Sequence, residues 1–207
     1  MPPTTIDHVA APAEGSPVQE SALPASAVIM DLDREVRAAV PSTVGVSLTA
    51  EHEGLVQTAA TSVPEVAVLD ALGYLDDERR LIRPERGVGA VLSVPVTEDG
   101  RIVGSLTVYA ADPDAFEGRV PVLEGLCRRM APQVARTTTL TETERLSAAL
   151  TPERDRDQNA IDWAITRLAP ALGTDTAATS DRFRRAATRA GVSDSALAYA
   201  VVDFFDD

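Results

Sequence analysis

Two hydrophobic periodicities, one of helices and one of strands, alternate along residues 23–136. Apolar residues recur every three or four positions at residues 26–40 and 62–75, a spacing that predicts two helices. Four stretches rich in β-forming residues predict strands, at residues 43–49, 55–61, 88–96 and 102–110. Asp99-Gly100 joins the last two stretches, and a glycine accepts the positive φ that a tight hairpin turn needs. With a closing helix from Val120, the pattern predicts an α+β fold, an antiparallel sheet with helices packed on it.

Helical spacing returns near the end of the chain, in three runs at residues 161–172, 183–190 and 193–204. Gly173 and Gly191 are typical helix ends, and Ser193 is a good N-cap for the third helix. Thr179 or Ser180 is a candidate N-cap for the second helix if that helix starts late. Each helix is only about 10–13 residues long and would be marginal alone, so we expect the three to share one core. A small C-terminal three-helix bundle is therefore predicted.

The second helix of this bundle has a basic side. At about 100° per residue, Arg182, Arg185 and Arg189 fall within roughly 60° of one another, beside the apolar residues. We call these three residues the arginine strip. Arginine has a planar fork that pairs with phosphate or guanine edges and can stack on an unpaired base. The strip predicts an RNA contact if its members project into solvent together and no carboxylate neutralises them. A solvated helix face that serves only solubility is the alternative.

The bundle region resembles the ANTAR family. The resemblance lies in three motifs, Ile161-Asp162-Trp163-Ala164, Phe183-Arg184-Arg185-Ala186-Ala187 and Leu197-Ala198-Tyr199-Ala200-Val201-Val202. It implies that residues 161–207 form a bundle that binds structured, stem-loop RNA and acts in transcription antitermination. The candidate RNA-binding residues are Arg182, Arg184, Arg185, Arg189, Trp163 and Arg167.

Trp163 and Arg167 lie one turn apart, on the side of their helix that faces away from Ile161 and Leu168. An indole on that side of a helix needs a neighbour. It packs on the linker or on a partner chain, or it stacks on an RNA base, and the sequence leaves these alternatives open.

Residues 23–136 resemble a GAF sensory domain. The resemblance lies in Val91-Leu92-Ser93-Val94-Pro95-Val96, Gly104-Ser105-Leu106-Thr107-Val108-Tyr109 and Ala115-Phe116. It implies a domain that receives a signal and controls the bundle. Only 16 residues separate Tyr74 from Val91, where the family has a longer segment that lines and covers its ligand pocket. A small-molecule ligand of the GAF-like domain is therefore an open alternative, which the short segment disfavours.

Four connecting segments are predicted around these units. Residues 1–22 lack periodicity and predict a disordered tail, and residues 137–160 predict a helical linker. A turn is predicted at Glu51–Gly54 and a charged loop at Asp76–Gly87.

The closing helix and the linker also bear on oligomeric state. Apolar positions at near-heptad intervals run from Leu123 through Leu126, Met130, Val134 and Leu140 to Leu146, a spacing typical of a dimeric coiled coil. Pro132 and the run Thr137-Thr138-Thr139 disfavour a continuous helix, so the spacing leaves a homodimer open.

Charge sets the main condition on an RNA partner. The chain has 207 residues, 44% of them hydrophobic, and a net charge of −13, whereas nucleic-acid binding needs a basic face. Any RNA contact must therefore be local to the arginine strip. No run of 18 apolar residues and no export signal is present, so we expect a cytoplasmic protein with no membrane partner.

Candidate catalytic chemistry is sparse in this chain. The two histidines, His8 and His52, are isolated, and Gly87-Val88-Gly89 opens a strand rather than a phosphate-binding loop. Cys127 is the one cysteine, so no internal disulfide can form, and it is expected in the core. We therefore expect no enzyme, no cofactor and no metal site.

The leading hypothesis is an RNA-binding regulator controlled by its GAF-like domain. A protein-interaction scaffold that has lost RNA binding is one alternative. The charge of −13 favours it, as do Thr166, Ala187 and Asp194, where the ANTAR pattern favours glycine, serine and an apolar residue. A small-molecule sensor is the other alternative.

Overall fold

The computed structural model describes residues 25–52, 55–75, 87–148 and 158–206 of the chain. Ten elements lie in these ranges: α1 Ala25–Ala39, β1 Thr43–His52, β2 Leu55–Thr61, α2 Pro64–Leu75, β3 Ala90–Glu98, β4 Arg101–Ala110, α3 Val120–Ala148, α4 Gln158–Leu172, α5 Thr176–Ala190 and α6 Asp194–Asp206. The predicted α+β class is confirmed. The predicted tail at residues 1–22, with His8, lies outside the described residues, as do residues 76–86 of the predicted loop and residues 149–157 of the predicted linker.

The first strand is longer than predicted. β1 continues to His52, so the prediction of a turn was wrong at Glu51 and His52, which belong to a strand; residues 53 and 54 of the predicted turn lie outside the described residues. Glu51 and His52 pair with Val56 and Leu55 of β2 in an antiparallel ladder. The partner strand satisfies their backbone groups, and this extends β1 beyond its β-rich residues.

The four strands form one antiparallel sheet in the order β2-β1-β4-β3. Asp99 and Gly100 turn the hairpin between β3 and β4 with φ values of 48° and 77°. Two consecutive positive φ values are typical of a type I′ turn, whose twist matches that of the flanking strands. β2 and β3 are the edge strands, and β3 carries Pro95, a residue that an edge strand tolerates because one of its sides forms no ladder.

One face of the sheet packs on α1 and α3 to form the main core. Its largest fully buried side chains include Ile29, Leu32, Leu48, Leu106 and Leu123. Four of the near-heptad residues of α3 also lie in it, Leu123, Leu126, Met130 and Val134. These positions therefore serve the core of their own chain, and α3 continues through Pro132, which is exposed. The side chains of Leu140 and Leu146 lie outside the described residues.

The opposite face of the sheet packs on α2, and α2 in turn joins the C-terminal helices. α4, α5 and α6 share one core as predicted, and α2 adds Ala71, Leu72 and Leu75 to it, all fully buried. We call α1, the four strands, α2 and α3 the sheet domain. The other side of α2 places Val66 and Leu69 against the sheet, in a cluster with Tyr109. The bundle therefore packs directly on the sheet domain, through a helix that both share.

Helix caps explain where the bundle helices begin and end. Asp175 is the N-cap of α5, since its Oδ1 accepts a hydrogen bond from the Ala178 N–H at 2.7 Å. Thr179 is buried within the first turn and its hydroxyl donates to the Asp175 carbonyl at 2.7 Å, so the prediction of a cap at Thr179 or Ser180 was wrong. The predictions at Gly191 and Ser193 are confirmed. Gly191 ends α5 with a φ of 70°, and Ser193 Oγ accepts from the Ala196 N–H at 3.1 Å to cap α6.

Candidate nucleic-acid interface

The arginines of α5 divide into an exposed pair and a pair that is half-buried. Arg184 and Arg185 are exposed, and no hydrogen bond or ion pair holds either of them to any residue that the structure describes. Successive residues of a helix are about 100° apart, so the two side chains leave α5 in different directions. Arg182 is half-buried and makes a contact of its own. The exposed cationic groups of α5 are therefore Arg184 and Arg185.

Arg189 contacts the sheet domain. Its Nε donates a hydrogen bond to the Val56 carbonyl on the edge strand β2 at 2.8 Å. Its guanidinium carbon lies 4.0 Å from the centroid of the Tyr74 ring on α2, within the range of a cation–π interaction. The expectation that all three members of the arginine strip project together into solvent was therefore wrong, and the strip as a whole does not meet the condition set for an RNA contact. The flank of α5 that carries Arg189 packs against α2 and β2, a non-local contact that helical periodicity does not reveal.

Trp163 packs within its own bundle. Its ring meets that of Phe205 on α6 edge-on, with centroids 6.2 Å apart and an interplanar angle of 75°, and Phe204 packs on Phe205 in the same manner. The Arg167 guanidinium lies over the Trp163 ring, 5.2 Å from its centroid. The neighbour of this half-buried indole is α6, which was not among the expected alternatives, and Arg167 occupies one face of the ring. Trp163 and Arg167 thus form a second cationic group, on α4.

α5 is positively charged, although the chain as a whole is acidic. This helix carries Arg182, Arg184, Arg185 and Arg189 against the single acid Asp181, so its net charge is 4 − 1 = +3. Ion pairs among the described residues join Arg34 to Asp31, Arg37 to Asp33 and Arg129 to Glu35, all on α1 and α3. Two carboxylates of the bundle have local hydrogen-bond partners, since Asp175 caps α5 and Asp162 accepts from Gln158 at 2.7 Å. α5 is therefore a locally positive helix in a protein with a net charge of −13.

Asp70 anchors α2 to the sheet, and sequence reasoning missed it. This carboxylate is only 4% exposed and accepts hydrogen bonds from three hydroxyl groups, those of Ser47 at 3.0 Å, Thr58 at 2.7 Å and Tyr109 at 2.6 Å. The Thr58 hydroxyl also contacts the Tyr74 hydroxyl at 3.0 Å. The signal was present in the chain, because an acid in the middle of Val66-Ala67-Val68-Leu69-Asp70-Ala71-Leu72 must be either exposed or partnered. Polar contacts thus continue from the centre of the sheet through Tyr74 to Arg189.

Other reactive groups in the described part of the chain are few. Cys127 is buried, and desolvation raises the pKa of its thiol from 9.0 to about 11, with the Glu124 charge adding to this and a backbone hydrogen bond opposing it. Across the described ranges, no three His, Cys, Asp or Glu side chains cluster so as to hold a metal ion. Within the same ranges, no helix combines the length and apolar character needed to cross a membrane.

Comparisons with known proteins identify no family for this chain. No protein-family model matches it, and no curated protein matches its sequence. Among solved structures, the chain is similar to SdiA in complex with octanoyl-rac-glycerol, at 13% sequence identity and a TM-score of 0.34, over 89% of each chain. A TM-score this low supports no inference about fold or function.

Proposed function

We propose that this chain is a cytoplasmic regulatory protein whose C-terminal bundle binds structured, stem-loop RNA. In this proposal it acts in transcription antitermination, under the control of the GAF-like sheet domain. The observation that carries the proposal is the pair Arg184 and Arg185, exposed on a helix of net charge +3 and free of carboxylate partners among the described residues. The ANTAR resemblance of residues 161–202 supplies the RNA class and the process.

The proposed contact is electrostatic and short. Unpaired guanidinium groups can form bidentate hydrogen bonds to phosphate without first breaking an ion pair, and each phosphate neutralised releases counterions. Among the described residues, Arg184 and Arg185 on α5 are two such groups, and the exposed Arg167, stacked on Trp163 of the neighbouring helix α4, adds a third cation. We therefore propose a footprint on the solvent-exposed side of the bundle, where Arg184 and Arg185 project.

Binding of fluorescent RNA hairpins with randomised loops tests the proposal. The full-length chain is compared with a double variant, Arg184→Gln and Arg185→Gln, and with Arg128→Gln, which removes an exposed arginine from α3. We expect the double variant to bind at least about tenfold more weakly at low salt, because two charge-assisted contacts are lost, and Arg128→Gln to bind as wild type. Equal losses in both variants, or no binding by wild type, would reject the proposal.

A protein-interaction scaffold is the second candidate. The net charge of −13 favours it, as does the engagement of Arg189 by the sheet domain, which leaves a smaller cationic surface on α5. Affinity purification from cells with and without ribonuclease separates the two functions. A scaffold retains its protein partners after ribonuclease, whereas an RNA-binding regulator loses whatever it recovers through RNA.

A further inference from the structure

Arg189 forms a clamp between the bundle and the sheet domain. We define the clamp as Arg189 on α5, Tyr74 on α2 and the Val56 carbonyl on β2. One side chain makes two different contacts here, a hydrogen bond of 2.8 Å through Nε and a stacking contact 4.0 Å from the Tyr74 ring centroid. A guanidinium held in this way cannot also form a bidentate contact with phosphate through its Nε edge.

The surroundings of the clamp make this contact part of the folded state. Leu72 and Leu75 on α2 are fully buried in the core cluster that also holds Ala186, Ala187 and Ala190 of α5, and α2 and α5 pack against each other. Small residues let the two helices approach closely, and separating them would expose two complete leucine side chains to water. The bundle is therefore packed on α2 whenever both are folded, and Arg189 lies at the border of that interface.

The clamp is also connected to the interior of the sheet. Tyr74 holds its ring over Arg189 and its hydroxyl against Thr58, and Thr58 in turn donates to the buried carboxylate of Asp70. A change in the position of α2 on the sheet thus alters the ring on which Arg189 is stacked. Arg189 lies one turn after Arg185 on α5, so the clamp borders one of the two exposed arginines.

We propose that Arg189 is a positioning residue that couples the sheet domain to the RNA-binding side of α5, rather than a residue that touches RNA. This inference rests on the proposed function, and it names the regulation of that same site. The sheet domain acts on RNA affinity through α2, Tyr74 and Arg189, with the bundle packed on the domain throughout.

Three variants test the inference by hairpin RNA binding at several salt concentrations, with the full-length chain. Arg189→Gln removes the clamp together with a charge. Tyr74→Leu removes the clamp from the other side, without a change of charge and without altering α5. The third variant combines both substitutions. Tyr74→Phe is the matched control, because it keeps the stacking face and loses only the hydroxyl group.

For a positioning role, Arg189→Gln and Tyr74→Leu each weaken RNA binding by a similar factor, about 2–30-fold, and the double variant binds no more weakly than the worse of the two. The slope of log affinity against log salt stays that of wild type in Arg189→Gln, since no phosphate contact is lost. Tyr74→Phe restores most of the affinity that Tyr74→Leu loses.

The opposite result would overturn the inference and leave the proposed function intact. If Arg189→Gln makes the salt slope shallower by about 0.7–0.9, while Tyr74→Leu binds as wild type, Arg189 contacts a phosphate. If wild type binds no RNA, the proposed function fails, and with it the positioning role. Urea unfolding of the same variants then still decides whether the clamp exists, because a clamp makes the two single destabilisations sum to more than that of the double variant.

Discussion

Leu72→Ala is expected to destabilise the C-terminal bundle, although Leu72 belongs to a helix of the sheet domain. Leu72 is 0% exposed and lies in the core that α2 shares with α4, α5 and α6. Truncation of a fully buried leucine to alanine removes its transfer free energy and leaves a cavity, which together cost about 3 kcal/mol. The equilibrium between closed and open forms of this core then shifts by roughly 150-fold.

Amide hydrogen exchange resolved by segment measures this effect directly. We expect the slowest amides of α5 and α6 to exchange roughly 150-fold faster in Leu72→Ala, in step with those of α2, because one core protects all three helices. Leu55→Ala is the matched control, the same substitution at a residue that is 56% exposed, and it should change protection within about 0.5 kcal/mol. If Leu72→Ala speeds exchange in α2 and leaves α5 and α6 at wild-type rates, the bundle is stable without α2 and the shared core does not contribute to its stability.

Three further predictions follow from local contacts. Asp70→Ala should lower the free energy of unfolding, measured in urea, by about 3 kcal/mol or more, because it leaves the buried hydroxyls of Ser47, Thr58 and Tyr109 short of an acceptor. Asp70→Asn should cost less, and equal costs for the two variants would contradict this explanation. Gly104→Ala should lower the free energy of unfolding by about 1–3 kcal/mol, since the added Cβ would lie 2.2 Å from the Thr49 carbonyl oxygen. Gly125→Ala in α3 should raise it by about 0.5–1 kcal/mol, because the added Cβ meets no atom within 4 Å and alanine favours a helix. Similar effects at the two glycines would refute the steric argument. Cys127 should resist alkylation at pH 8–9 in the folded protein, and rapid alkylation under native conditions would show that the thiol is accessible. The free energy of unfolding should fall as pH rises from 9 to about 11, because in this window the unfolded thiol releases a proton that the folded thiol retains.

Local signals predicted most of the fold. Stretches rich in β-forming residues marked the strands, Asp99-Gly100 marked the hairpin, and Gly191 and Ser193 marked the junction of α5 and α6, because each of these depends on a few neighbouring residues. The shared core depends on contacts distant in sequence. Even so, α2 carried a hint of it, since Val66 and Leu69 lie on one side and Leu72 and Leu75 on another, and a helix that is apolar on more than one side is usually buried on both.

The candidate site was less predictable than the fold. Helical periodicity placed Arg182, Arg185 and Arg189 on one side of α5, but it could not show that this side meets α2 and β2. The acceptor at Val56 is a backbone carbonyl, so the residue type gives no indication that it pairs with Arg189. Arg184 entered the candidate set only through the family resemblance, and the structure leaves it exposed beside Arg185.

If the exposed arginines of α5 neutralise RNA phosphates, the affinity for hairpin RNA falls as the salt concentration rises. The slope of log affinity against log salt counts the phosphates that the full-length chain neutralises. Substitution of Arg184 and Arg185 by glutamine should make that slope shallower by about 1.4–1.8, which corresponds to two lost contacts, and Arg128→Gln should leave it unchanged. An unchanged slope in the double variant, or the absence of any salt-sensitive binding in wild type, would contradict the account.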